Sequence, residues 1–242
     1  MTELPHIHHV VALGTSCFSA EFLRLTGLRV CAYPFDWVYS HPRMITDCVR
    51  DSFRNWFDKT LYVGHPHEKF CRHRIYDTTD PIFVHYHPPT FFHHNPINDH
   101  DYQYFTRGVH RFNQMLSQPT PKLFLMTYIN RSAPLDADTI QSLITLKHIL
   151  DQNTAHAYLL VINCMSSGPY YHQDSRVYEE HHLQPHLIII NLVVSEIVGT
   201  LFTNPQDWHF FRYQLNRLFT WSVDPLPSNI DHQTDPWPLH IV

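Results

Sequence analysis

His9-Val-Val-Ala-Leu13 runs directly into Gly14-Thr-Ser-Cys17, and the reading of this stretch decides the fold. The first part is short, nearly all apolar and closed by a glycine, the pattern of a strand buried on both faces. Thr15 and Ser16 are good helix N-cap residues. Beyond them Phe18, Phe22, Leu23 and Leu25 recur at helical spacing, and Gly27 supplies the stop. A buried strand that turns straight into a helix is the opening unit of an α/β fold.

The rest of the chain extends that reading. Arg29 to Ala32 suggests a second short strand, and Ser40-His-Pro42 a helix start running to about Phe53. Residues 62–101 are dense in His, Pro and aromatics, with one β-like run from Pro81 to His87; they form an irregular insertion around a strand, since linkers seldom carry so many large apolar groups. Tyr102 to Leu116 reads as an amphipathic helix with Phe105, Val109, Phe112 and Leu116 on one face. Then come a strand at Lys122–Tyr128, a helix at Asp138–Leu150, strands at Ala157–Asn163 and His186–Asn191, and a last helix at Asp207–Phe219. The expected fold is α/β: a layered, mostly parallel sheet with helices on both faces. Residues 1–221 are expected to form a single domain, with 222–242 an extended Pro-rich tail packed on its surface.

The composition narrows the function classes. Of 242 residues, 43% are hydrophobic and 16% charged, as in a globular protein. A formal charge of -5 argues against nonspecific nucleic-acid binding, although 22 histidines can add positive charge at low pH. Five cysteines, at 17, 31, 48, 71 and 164, form no C-x-x-C pair and no disulfide framework; reduced thiols in a cytoplasmic setting are the simplest reading. The N-terminus has no signal-peptide pattern. The most apolar stretch, Leu187 to Phe202, is too interrupted by polar groups to span a membrane.

Chemistry points first to Cys17. In the first turn of a helix after a buried strand, a thiol meets free N–H groups that stabilise a thiolate and can hold an oxyanion. The alternative is a buried small apolar residue. A nucleophilic cysteine needs a base and a group that orients it. His85 and His87 alternate on a predicted strand and share a face. Asp36, set among apolar groups in Pro34-Phe-Asp-Trp37, needs a partner, a histidine or the backbone of a turn. Asp207 and His209 form a competing pair, loosely similar to the late acid-and-histidine motif of SGNH-type serine esterases. Ser16 and Trp37 are candidate substrate contacts, and Arg107 either binds an acidic substrate group or pairs on the surface. Histidines cluster at 6, 8 and 9, at 65 and 67, at 85 and 87, and at 93 and 94, with Cys71 beside His73, but no motif specifies a metal. No glycine motif for a nucleotide occurs, and no cofactor is expected.

Leu13-Gly-Thr-Ser-Cys17, Leu23-Arg-Leu-Thr-Gly-Leu-Arg29 and Ala32-Tyr-Pro-Phe-Asp-Trp37 together resemble a family labelled putative papain-like cysteine peptidases. Phe83-Val-His85, Arg107-x-x-x-Arg111-Phe112 and the strand at Lys122–Tyr128 are similar to its later segments. The resemblance implies Cys17 as nucleophile, His85 as base and Asp36 as orienting acid. The leading expectation is a cysteine-dependent hydrolase or acyl-transfer enzyme acting on a peptide, amide or ester. The alternatives are a binding module with a structural Cys17, and a histidine-based metal- or glycan-processing enzyme.

Overall fold

The computed structural model describes residues 3–77 and 88–222. In chain order the elements are β1 (His6–Ile7), β2 (His9–Gly14), α1 (Phe18–Leu25), α2 (Pro42–Arg50), β3 (Tyr62–Val63), β4 (Arg72–His73), α3 (Asp99–Ser117), β5 (Lys122–Arg131), α4 (Ala137–Asn153), β6 (Ala157–Met165), β7 (Arg176–Gln184), β8 (Leu187–Val193), β9 (Ile197–Val198), β10 (Leu201–Phe202), α5 (Gln206–Asn216) and β11 (Thr220–Trp221). The central sheet has the order β2-β5-β6-β8-β7, parallel throughout except for β7, which runs antiparallel along one edge. Short β1–β11, β3–β4 and β9–β10 pairs lie outside it.

Alternation along the strands sorts the core into two layers. Val11, Leu13, Phe124, Met126, Leu159, Val161, Leu187 and Ile189 pack with the apolar sides of α2, α3 and α4. Val10, Ala12, Leu123, Leu125, Leu160, Ile162, Ile188 and Ile190 pack with Phe18, Phe22 and Leu23 of α1 and Phe211 and Leu215 of α5. Both faces of the sheet are therefore covered, which is why its central strands are continuously apolar. The layered α/β architecture is the one expected.

Local expectations fared unevenly. Gly27, at φ +74°, ends α1 as expected, with Leu28 N donating to Leu23 O at 2.9 Å. The strand expected at Arg29–Ala32 is absent. That segment is held instead by polar contacts: Arg29 pairs with Asp36, and Ala32 O accepts from Arg111 Nε at 2.8 Å. The described part of the insertion is largely irregular, as expected, and packs on an aromatic cluster. Trp56 meets Phe91 and Phe105 with ring centroids 4.9 and 5.5 Å away. His73 is buried beside them, its ring stacked on Tyr76. Its Nε2 donates to Asn55 O at 3.0 Å, while Nδ1 accepts from Ile75 N and Tyr76 N. The strand expected at Pro81–His87 and the tail beyond Ser222 lie outside the described residues.

Candidate functional site

Cys17 stands at the N-cap position of α1, just past the carboxyl end of β2. Three contacts fix the turn that delivers it. Thr15 Oγ1 donates to Thr127 O at 2.6 Å, Ser19 Oγ shares a 2.6 Å hydrogen bond with Thr127 Oγ1, and Ser40 Oγ donates to Leu13 O at 2.5 Å. Gly14 has φ +76°, and a Cβ there would stand 2.7 Å from Ser40 Oγ and 3.1 Å from Phe35 O. Only glycine lets the 35–40 loop close against this turn.

Cys17 Sγ lies 3.1 Å from His93 Nε2. His93 belongs to the irregular stretch before α3, 76 residues along the chain from Cys17. Trp37 stands edge-on to the imidazole with centroids 6.4 Å apart, and Phe92 flanks it at 5.0 Å. Burial pushes the Cys17 thiol up to about 11, reinforced by the nearby Glu21 carboxylate and only partly offset by a backbone N–H. This reverses the effect expected of a helix N-terminus. Burial also lowers His93 below the ordinary histidine value, and neighbouring His94 acts in the same direction. Near neutral pH the pair is thus a thiol hydrogen-bonded to a neutral imidazole, the resting form of a general-base arrangement.

The other candidates fall in several places. Asp36 is 1% exposed and accepts from Arg29 Nε at 2.8 Å and from Tyr33 N at 3.2 Å. Arg29 also lies over the Trp37 ring at 5.6 Å, so Asp36 and Trp37 are parts of one folded loop. Ser16 is buried, its Oγ accepting a long 3.4 Å bond from Phe18 N. Arg107 is half-buried on α3, next to Gly108, which packs on Pro34. His85 and His87 lie outside the described residues. Asp207 and His209 do not meet: Asp207 is buried, accepting from Ser175 Oγ and Ser195 N, whereas His209 is exposed on α5. Among the described residues no three His, Cys, Asp or Glu side chains gather to hold a metal ion. No helix among them is long and apolar enough to cross a membrane.

From the sequence His93 figured only as half of a possible chelating pair with His94, and its contact with Cys17 was not foreseen. Nothing local distinguishes it among 22 histidines; the one usable signal is its place just ahead of a capped helix.

No curated protein and no solved structure matches the chain. A family profile described as "putative papain-like cysteine peptidase" does, over residues 8–165, a span that contains β2, Cys17, His93 and every helix from α1 to α4. That match takes in well over half of the molecule, and the chain belongs to this family.

Proposed function

We propose that the protein is a cysteine-dependent hydrolase or acyl-transfer enzyme, with Cys17 as nucleophile and His93 as its general base. The observation that carries this reading is the 3.1 Å contact between Sγ and Nε2 at the head of a helix. As the sulfur bonds to a substrate carbonyl carbon, its proton passes to His93 Nε2. The oxyanion is received by backbone N–H groups in the first turn of α1. Collapse of the intermediate expels the amine or alcohol, which takes the proton from His93. A water, or an acceptor amine, then bonds to the acyl carbon as it gives its proton to His93. The C–S bond breaks with that proton returning to sulfur, which restores the thiol and the neutral imidazole. Peptides, amides and esters all fit this sequence.

The test is the pH dependence of Cys17 alkylation by iodoacetamide, located by peptide mass mapping. With His93 as base, the rate rises through an inflection below about 6.5, where the imidazole loses its proton. It then stays level until the thiol itself ionises. His93→Ala is expected to erase the inflection and leave a rate that climbs steadily towards about 11. An unchanged profile in His93→Ala would sink the proposal and leave Cys17 as a structural residue of a binding module.

A further inference from the structure

We propose that Asp101 is a positioning residue that holds His93 against Cys17, an inference that rests on the Cys17–His93 reading above. Asp101 lies in the first turn of α3, and its carboxylate reaches back to the two residues after His93. Oδ2 accepts from Asn95 N at 2.7 Å, and Oδ1 accepts from His94 Nδ1 at 3.2 Å. His100 Nδ1 and Asn98 Nδ2 complete the set, each at 3.2 Å. Asn98 in turn accepts from Asp101 N at 2.9 Å, a reciprocal cap that ties the carboxylate to the helix end.

The loop is pinned from its far side as well. The Asn95 side chain is 1% exposed and donates to His65 O and Glu68 O at 2.8 and 2.9 Å. His94 stacks on Tyr104 of α3 at 4.2 Å. These bonds lie within two residues of His93, yet none uses its imidazole, which is left to face Cys17 and Trp37. The same helix governs the other half of the site. A Cβ on Gly108 would stand 3.3 Å from Pro34 N, and Arg111 donates to Ala32 O, so α3 seats the loop that carries Trp37. One rigid element thereby sets the positions of both the base and the aromatic ring against it. Partial burial pushes the Asp101 carboxyl up, but hydrogen bonds from His94, Asn95 N and Asn98 outweigh it and hold the group well below the usual carboxylate range. The anchor therefore stays ionised wherever His93 works as a base.

The experiment is the same alkylation profile, on the full chain, in Asp101→Ala, His94→Ala and His94→Asn, with thermal melting as the check on folding. Misplacing a base by about 1 Å is enough to cost roughly tenfold or more. Asp101→Ala and His94→Ala are expected to lose at least that from the rate near neutrality, together with the acidic inflection. His94→Asn, whose amide can donate to the same carboxylate oxygen, is expected to restore both. A folded Asp101→Ala with the wild-type profile would overturn the inference while leaving the nucleophile and base intact. If Asp101→Ala does not fold, the His94 pair decides: a wild-type profile in His94→Ala overturns the inference. Failure of the parent reading shows elsewhere, as an unchanged profile in His93→Ala.

Discussion

Gly14 is the residue on which the turn depends. Its φ of +76° and the 2.7 Å approach of Ser40 Oγ leave no room for a methyl group. Gly14→Ala combines the cost of a left-handed residue, about 1–2 kcal/mol, with a clash against Ser40 Oγ at 2.7 Å and a tight approach to the backbone oxygen of Phe35. A drop in melting temperature of several degrees is expected, together with slower Cys17 alkylation. Adding Ser40→Ala should recover only part of it, because Phe35 O still stands 3.1 Å from the new carbon. At this scale Cys17 was legible because strand, glycine and helix follow one another in a few residues. Its partner was not, because the His93 contact spans 76 residues and closes through loops whose shape no periodicity records. Asp36 shows the converse. That a buried carboxylate needs a partner was readable, but a guanidinium seven residues upstream satisfies it.

At the scale of elements, the helices were legible from the spacing of their apolar residues, but their caps fell elsewhere. Cys17, not Thr15 or Ser16, stands at the N-cap of α1, and the helix expected from Asp138 starts at Ala137. Asp136 caps α4 by accepting from Thr139 N at 2.7 Å. Asp136→Ala is expected to cost about 1 kcal/mol, measured by urea unfolding near neutral pH. That same bond holds the Asp136 carboxyl below its ordinary value of 3.8. The contribution is therefore fully present above that value and is lost as pH falls through the lower folded value, so wild type and variant should converge in strong acid. The edge strand β7 was missed altogether. Arg176-Val-Tyr-Glu-Glu-His-His-Leu-Gln184 is half exposed and breaks register twice against β8, so neither a continuous apolar run nor strict alternation marks it. The strand expected at Arg29–Ala32 was the opposite error: a β-like composition overridden by two guanidinium contacts.

Over the whole molecule, histidines connect folding to acidity. His73, His93 and His186 are each held below the ordinary value of 6.5, chiefly by burial. The unfolded chain takes up these protons first, so stability declines as pH drops below 6.5 and keeps declining until the folded values are reached. Urea midpoints near pH 7 and about pH 5.5 should differ accordingly. His73→Gln is expected to be less stable at both, because it loses its stack on Tyr76, and to show a shallower dependence on pH. The layered architecture was readable at this scale because continuous apolar strands require cover on both sides.

That cover has a consequence for the family match, which stops at Met165, the last residue of β6. The helix that begins at Cys17 leans on rings from farther along: Phe18 and Phe22 stack on Trp208, and both meet Phe211 edge-on. A fragment trimmed to the shared stretch would keep both Cys17 and His93 and strip the wall behind α1, turning a buried aromatic face out to water. Kinship is written in the first two thirds of this chain, but the wall behind the helix that Cys17 caps is supplied by the last third.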